Sequence, residues 1–341
     1  MAAGIDHVLV LPFPAQGHVN SLLRFSREMA KHGLKITYVN TEIIHKRVVS
    51  AMPDGDEASL VDSNINLVSI PDGLESDDIE RNDLGKTLDA PCQQGSRSSY
   101  EMGIRAAIYW STAAASSALL LSVPTLIDDG ILDDDGFPTG KVELIHLSPG
   151  LPACETINLP WAAIPDPTAQ KNLFHYIARN TEACKVADWS LCNTAYELEP
   201  ATFALFPNLL PIGPLLENDQ AGQFRREDSS CLNWLDQQAT RSVVYISFGS
   251  YAALDAIQFQ ELALGLKLIN RPFLWVVGLG LDLAENGIVL REEVTKKVEQ
   301  LLSNETIRAR AQEIKEIILK SRAEGGQSSK NFNNFIKWIK E

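Results

Sequence analysis

His18 is the residue whose type and position best suit acid–base chemistry. The apolar run 8–11 predicts a buried strand, and the prolines and glycine of residues 12–17 predict a tight loop after it. Helical spacing of apolar residues begins at Val19, so His18 is expected where a strand's carboxyl end meets a helix's amino end. Open α/β sheets bind ligands at this edge, and the positive helix end favours a neutral imidazole that can accept a proton. On position alone, a histidine that only caps the turn explains the spacing equally well.

Strands that alternate with helices must position His18. The spacing of apolar residues predicts strands at 35–40 and 64–70, with a helix at 41–50 between them. Residues 75–101 are polar and turn-rich and contain no apolar strand, and the pattern resumes with a strand that ends at Trp110. This alternation predicts a parallel sheet with right-handed crossovers.

Three further stretches of the first two thirds of the chain predict loops. Residues 124–138 are acidic and punctuated by glycine, and residues 149–167 are rich in proline. Long surface loops of this kind often shape a binding pocket. The Pro, Gly, Asp and Gln content of 210–214 and 217–230 predicts an interdomain linker.

The last third of the chain predicts a second α/β domain that is incomplete. Apolar runs predict strands at 242–250 and 273–277 with a helix between them, and three amphipathic helices end the chain. Two strands cannot bury the faces of five helices, and a nucleotide-binding sheet needs four or more parallel strands. The sequence therefore predicts a segment missing where Val277 meets Gly278.

Composition excludes several kinds of partner. A net charge of −14 over 341 residues argues against nucleic acid and anionic membrane surfaces. No signal peptide is evident, and the apolar run 113–123 is too short to span a bilayer. The scattered cysteines predict a reducing compartment, so we expect a cytoplasmic, monomeric protein without a disulfide framework or zinc site. These cysteines are Cys92, Cys154, Cys184, Cys192 and Cys231.

Two alternative sites fit the sequence poorly. The acidic residues of 124–138 and of 282–293 suggest calcium loops, but the spacing puts Ile131, Val142 and Ala284 where ligands are needed. A nicotinamide-binding site would need a G-x-G-x-x-G loop and an acidic residue after the second strand. The loop instead reads FPAQGH, and the second strand ends with Asn40 and Thr41. We therefore predict neither a metal nor a bound cofactor.

Several motifs in order resemble those of the plant family-1 UDP-glycosyltransferases. They are FPAQGHVN after the first strand, SFGS after a later strand, FLWVV, GLGLD with ENGI and REE, and the closing GGQSSKNFNNFIKWI. The resemblance implies an α/β fold of the GT-B type, with two facing Rossmann-like domains and parallel sheets. It implies an acceptor-binding domain at 1–214 (shortened near 75–101), a linker at 215–230, a donor-binding domain at 231–325 and a helix at 326–341 that crosses back to the first domain.

The resemblance also implies roles for individual residues. His18 matches the base that takes a proton from an acceptor hydroxyl, which then displaces UDP from the sugar with inversion. The donor would be a UDP-sugar used as co-substrate, and the acceptor a small hydrophobic molecule. The implied donor-binding residues are Gly17, Ser247, Gly249 and Ser250, and those predicted to bind the acceptor are Phe13 and Gln16.

Two family features have no match in this chain. The family orients its histidine with an aspartate on a strand in the region of 75–101, and Asp83 and Asp89 do not stand in a matching context. The donor signature that begins Trp-Ala-Pro-Gln should lie between FLWVV and GLGLD, where Val277 abuts Gly278. The sequence predicts a UDP-sugar-dependent O-glycosyltransferase that transfers a hexose, glucose, to a small plant metabolite. The alternative is an inactive remnant, or a pseudoenzyme that binds small apolar ligands.

Overall fold

A computed structural model describes residues 6–13, 15–50, 64–71, 103–140, 143–162, 164, 166–216, 230–248, 256–276 and 289–341. The chain divides into two compact units. Unit 1 comprises Met1–Arg226 together with Glu316–Glu341, and unit 2 comprises Glu227–Lys315. The polar stretch 75–101 and the junction of Val277 with Gly278 lie outside the described residues.

The elements follow one another along the described chain as strands and helices. The strands are β1 (His7–Val10), β2 (Lys35–Thr41), β3 (Ile65–Ile70), β4 (Ala107–Trp110), β5 (Leu144–Ile145), β6 (Cys154–Glu155), β7 (Trp189–Cys192), β8 (Leu209–Pro211), β9 (Val244–Ser247) and β10 (Phe273–Val276). The helices are α1 (Gln16–Lys31), α2 (Glu42–Ser50), α3 (Ala114–Leu121), α4 (Val123–Asp128), α5 (Pro167–Cys184), α6 (Pro200–Leu205), α7 (Ser230–Asp236), α8 (Ala256–Leu268), α9 (Arg291–Ser303), α10 (Glu305–Arg322) and α11 (Gln327–Lys340). None of these helices combines the length and apolar character needed to cross a bilayer.

Unit 1 contains a parallel sheet in the order β1-β2-β3. Alternate side chains of β2 are buried, because successive residues of a strand point to opposite faces. On the buried face, the hydroxyl of Tyr38 donates to the carbonyl of Val19 at 2.8 Å. This bond holds the sheet against the first turns of α1.

A second parallel sheet in unit 1 has the order β4-β7-β8. Within the described residues, β1 pairs only with β2 and β4 pairs only with β7, so the two sheets are separate. Leu9 in β1 is accordingly 62% exposed. Contacts other than strand pairing must therefore hold β4 close to α1.

The predicted linker at 210–214 belongs in part to this second sheet. Leu209–Pro211 pairs in parallel with Ser190–Cys192, and the N–H of Ile212 donates to the carbonyl of Cys192 at 2.9 Å. Leu209 and Ile212 are buried. The linker prediction is therefore wrong for these residues, because apolar burial outweighs the proline and glycine composition.

The predicted surface loops contribute to a core of their own. Trp161 and Phe174 are fully buried, with ring centroids 5.0 Å apart, and the Trp161 indole donates to the carbonyl of Gly136 at 2.7 Å. Val123–Asp128 forms α4, and β5 pairs with β6 in a short antiparallel ribbon. The loop prediction is wrong around Trp161, because one large aromatic ring anchors a proline-rich stretch.

The last helix packs against the first sheet and α1. Phe332, Phe335 and Ile336 are buried in the core that contains Val19 and Ile36. The hydroxyl of Ser328 donates to the carbonyl of Gly213 at 2.8 Å, and Arg105 donates to the carbonyl of Trp338 at 2.7 Å. Helix α11 thus ties together chain segments that are far apart in sequence.

In the described part of unit 2, the sheet consists of β9 and β10, which pair in parallel. Its small core is formed by Leu262, Leu266 and Val294, at the contact between α8 and α9. Arg291 forms an ion pair with Glu261 across the same contact. The predicted α/β fold with parallel sheets is confirmed.

Candidate functional site

His18 lies in the first turn of α1, eight residues after Val10, the last residue of β1. The helix begins after Ala15, and the backbone N–H of His18 donates to the carbonyl of Ala15 at 3.0 Å. No side-chain hydrogen bond caps this helix end. The imidazole is therefore not used as a cap and is free to interact elsewhere.

Ser111 holds the imidazole from a different part of unit 1. Its Oγ lies 3.0 Å from His18 Nδ1, and it directly follows Trp110, the last residue of β4. The two residues are 93 positions apart in sequence. No partner for His18 was predicted from the sequence, and no local pattern could have identified this serine.

Side-chain contacts hold β4 against α1 where strand pairing does not. The Ser21 and Tyr109 hydroxyls are 2.8 Å apart, and the rings of Phe25 and Tyr109 stack with centroids 4.6 Å apart. Ser21 and Phe25 lie on α1, whereas Tyr109 lies on β4. Because Ser111 follows Tyr109 by two residues, these contacts also fix its position relative to His18.

Burial makes protonated His18 a stronger acid than an exposed imidazolium. Desolvation lowers its pKa below the usual 6.5, because a charged imidazolium loses solvation in a partly buried position. The ring is therefore neutral at pH 7. With Nδ1 bonded to Ser111, Nε2 can accept a proton in the tautomer that carries the ring proton on Nδ1.

An aromatic surface adjoins the histidine. The rings of Phe13 and His18 meet nearly edge-on, with centroids 4.8 Å apart. The ring of Tyr176 is tilted relative to that of Phe13, with centroids 5.4 Å apart. Tyr176 comes from α5. The structure thus brings the predicted acceptor residue Phe13 to His18 and adds Tyr176, which the sequence did not single out.

The structure describes the other predicted site residues to different extents. Gly17 is exposed, and a Cβ added there would meet no described atom within 4 Å. Gln16 is described by its backbone alone, and Ser247 is an exposed residue at the end of β9 in unit 2. Gly249 and Ser250 lie outside the described residues. The structure therefore groups Phe13, Gly17 and His18 at the amino end of α1.

Two buried polar residues at the end of β2 were not identified from the sequence as candidate site residues. Asn40 and Thr41 end β2 and are buried, and their side-chain polar atoms have no hydrogen-bond partner among the residues that the structure describes. Asn40 shares a sheet face with Tyr38, whose hydroxyl bonds to the start of α1. Polar residues at a strand's carboxyl end were the available signal, since ligands bind at that edge.

The acidic loop is engaged in structural contacts. Asp133 accepts the backbone N–H groups of Asp135 and Phe137 at 3.0 and 2.8 Å. Asp135 accepts Lys171 at 2.7 Å and His175 at 2.9 Å, and the bond from Lys171 is the main cause of its lowered pKa. Across the described residues, no group of three His, Cys, Asp or Glu side chains is arranged to hold a metal ion.

Known proteins that resemble this chain are glycosyltransferases. A family profile described as "Glycosyltransferase, N-terminal domain" matches residues 6–71. UDP-glycosyltransferase 83A1 of Arabidopsis thaliana is 34% identical over 453 aligned positions, which cover 99% of this chain and 97% of that protein. (R)-mandelonitrile beta-glucosyltransferase of Prunus dulcis is 30% identical over 356 positions, covering 87% of this chain and 72% of that protein.

One solved structure resembles this chain in fold, and this chain is shorter than its Arabidopsis relative. The crystal structure of Os79 from O. sativa in complex with UDP superposes with a TM-score of 0.72 at 21% identity, over 97% of this chain and 99% of that one. The alignment with the Arabidopsis protein has 453 positions, whereas this chain has 341 residues. More than one hundred positions of that relative therefore face gaps inside this chain.

Proposed function

This chain belongs to the plant family-1 UDP-glycosyltransferases, whose fold is of the GT-B type, and we propose that it transfers glucose from UDP-glucose to a small hydrophobic metabolite. The observation that carries this proposal is the geometry of His18: a neutral, partly buried imidazole held through Nδ1 at the amino end of α1. The name of the Prunus relative, a beta-glucosyltransferase, supports glucose as the sugar.

His18 is the general base of the proposed reaction. Its Nε2 takes the proton of an acceptor hydroxyl while the oxygen forms a bond to the anomeric carbon of the sugar. The bond from that carbon to the diphosphate breaks, and UDP leaves with the electron pair. A single displacement of this kind inverts the anomeric centre, and a positioned base contributes about 10²–10⁴-fold to its rate.

The acceptor would rest against the aromatic surface beside His18. Phe13 and Tyr176 offer apolar faces that suit a small hydrophobic molecule, and their positions are fixed by the contacts described above. Gln16, which precedes Gly17 at the start of α1, is proposed as a polar contact to the acceptor. This assignment places acceptor recognition in unit 1.

The donor would be bound by the second half of the chain. Ser247 ends a parallel strand, and Gly249 and Ser250 follow it, so N–H groups and hydroxyls of this turn are proposed to bind the diphosphate. Gly17 would allow the donor to approach the backbone at the start of α1. The UDP-sugar is a co-substrate, and the proposed reaction uses no metal or bound cofactor.

A second candidate function is non-catalytic binding of small apolar ligands. It is favoured by the two-stranded sheet in the described part of unit 2 and by the gaps in the alignment with the Arabidopsis relative. In this case unit 1 would bind small hydrophobic molecules like the proposed acceptors, while unit 2 would lack the residues that retain a UDP-sugar.

Calorimetric titration with UDP, followed by a transfer assay, distinguishes the two functions. Micromolar UDP binding, and a product one hexose heavier when UDP-glucose and a panel of small phenols and terpenoid alcohols are supplied, would support the transferase. Absence of UDP binding together with binding of the same phenols would support the pseudoenzyme. The assay should include the His18→Ala variant, which removes the proposed base.

The location and assembly of the protein are part of the same proposal. The cysteines of the described residues, Cys154, Cys184, Cys192 and Cys231, are free thiols, as expected in a reducing compartment. We therefore propose that the protein acts in the cytoplasm, and as a monomer. We also keep the division into an acceptor domain at 1–214, a linker at 215–230, a donor domain at 231–325 and a returning helix at 326–341.

A further inference from the structure

We propose that Ser111 is the positioning residue of His18 and that a hydroxyl here performs the orienting role for which a carboxylate is usual. The proposal rests on the proposed function, because it assumes that His18 is the base. It goes beyond it by naming the residue that orients the base and the chemical limit that this residue imposes.

Ser111 is anchored well enough to orient a ring. It follows Trp110, which pairs with Cys192 of β7, and the carbonyl of Trp110 accepts the N–H of Asn193 at 2.9 Å. The indole of Trp110 also donates to Ser190 Oγ at 3.0 Å. These bonds fix the backbone just before Ser111. The Ser111 hydroxyl therefore has a defined position at the end of β4.

The histidine side of the contact is equally constrained. His18 lies in the first turn of a helix of 16 residues, and the edge of its ring meets Phe13. In the described residues, the groups that face the imidazole are the Ser111 hydroxyl and the Phe13 ring, and no carboxylate or cation contributes to its lowered pKa. Ser111 is therefore the polar partner that decides how the ring is turned.

A hydroxyl orients the ring without choosing its tautomer. When the Ser111 hydroxyl accepts a hydrogen bond from Nδ1–H, Nε2 keeps a lone pair and can act as a base. When the hydroxyl donates to Nδ1, Nε2 carries the proton and cannot accept another. A carboxylate can only accept, so it would hold the first tautomer alone.

The serine also leaves the protonated base without charge stabilisation. Once His18 takes the acceptor proton it becomes an imidazolium, and a neutral hydroxyl offers it a weaker bond than a carboxylate would. The Ser111–His18 pair is therefore a base that is well placed but only partly biased toward the reactive form. Replacing Ser111 with Asp should correct both deficits at once.

The test uses the full-length chain with ¹⁵N-labelled histidine and follows the ring nitrogens of His18 by NMR across pH. The His18→Gln variant identifies the His18 signals. We expect Ser111→Asp to raise the pKa of His18 by at least about 1 pH unit and to move the tautomer toward Nδ1–H. We expect Ser111→Ala to alter the tautomer ratio and Ser111→Thr, which keeps the hydroxyl, to preserve it.

A matched control separates positioning from general disturbance. Ser122→Ala removes a hydroxyl that bonds only within its own stretch of helix, to the carbonyl of Ala118 at 2.8 Å, and should leave the His18 signals unchanged. If Ser111→Ala and Ser111→Asp both leave the pKa and tautomer of His18 as in the parent chain, the proposal is overturned. This readout needs no turnover, so it stands even if the chain transfers no sugar.

Where turnover is measurable, it provides a second readout. Ser111→Ala should lower kcat by about 3- to 10-fold, the ratio that corresponds to one neutral hydrogen bond, with little change in KM. Ser111→Asp should raise kcat and move the acid limb of the pH profile upward. A rise in KM with no change in kcat would assign Ser111 to substrate binding and contradict its positioning role.

Discussion

The two units of this chain differ in how the described part of each sheet is buried. In unit 1, the sheet β1-β2-β3 lies in a core shared with α1 and α11, to which Phe25, Phe332 and Phe335 contribute. In the described part of unit 2, the core is limited to the contact of α8 with α9, and Tyr245 on β9 is 66% exposed. The described sheet of unit 1 is therefore covered by more apolar helix surface than the described sheet of unit 2.

The residues proposed to act in catalysis also differ between the two units in how well their surroundings hold them. The proposed base and its partner come from α1 and from the residue after β4, two segments joined by the Ser21–Tyr109 and Phe25–Tyr109 contacts. In unit 2, the proposed diphosphate residue Ser247 is exposed at the end of a two-stranded sheet. Among the described residues, the proposed base therefore has more structural support than the proposed diphosphate-binding residue Ser247.

The largest expected effect comes from removing the base. His18→Ala should lower the rate of sugar transfer about 10²–10⁴-fold, because the acceptor hydroxyl then loses its proton to water alone. Thermal melting should stay within a few degrees of the parent, because the ring is only partly buried. The matched control is His7→Ala, an exposed histidine bonded to Thr37, which should transfer sugar at the parent rate. Transfer by His18→Ala within threefold of the parent would show that the base lies elsewhere.

A matched pair of leucines tests whether the two cores differ in strength. Leu34 in unit 1 is 0% exposed and Leu266 in unit 2 is 2% exposed. Leu-to-Ala changes cost about 2–5 kcal/mol of unfolding free energy, with the smaller values where the surroundings can collapse. We expect Leu34→Ala near the upper limit and Leu266→Ala near the lower one, measured by urea denaturation with calorimetry to resolve two transitions. Equal costs would contradict the difference between the cores.

Features formed by consecutive residues could be predicted from the sequence, whereas contacts between residues far apart in the sequence could not. The strand, loop and helix around His18 could be predicted because their signals lie within consecutive residues. The contact with Ser111 could not, because it depends on how β4 packs against α1. Trp161 shows the same limit, since its burial depends on Phe174 and Gly136 rather than on the proline-rich residues around it.

The pH dependence of transfer should report the environment of His18. Desolvation lowers its folded-state pKa below 6.5, so the base is neutral above that pKa and inactive below it. kcat/KM should be flat near neutral pH and fall about tenfold per pH unit once the pH is below the folded-state pKa. His18 should also reduce folding stability as pH falls from 6.5 through its lower folded pKa, because the unfolded chain binds the proton more readily. An acid limb with a midpoint above 6.5 would contradict the desolvated, uncharged surroundings.

A matched pair of helical glycines gives the smallest effects, and their signs should be opposite. Gly17, in the first turn of α1, has no described atom within 4 Å of an added Cβ, so Gly17→Ala should stabilise unit 1 by about 0.4–1 kcal/mol through the lower entropy of the unfolded chain. Gly265 on α8 differs because an added Cβ would lie 2.8 Å from Val294 Cβ and 2.9 Å from the carbonyl of Arg291. Gly265→Ala should therefore push α8 away from α9 and destabilise unit 2 by about 1–3 kcal/mol, despite the better helix propensity of alanine. Denaturant midpoints of the two variants measure both signs. A stabilising Gly265→Ala would mean that the α8–α9 contact yields easily, so that the small core of unit 2 contributes little to holding its helices together.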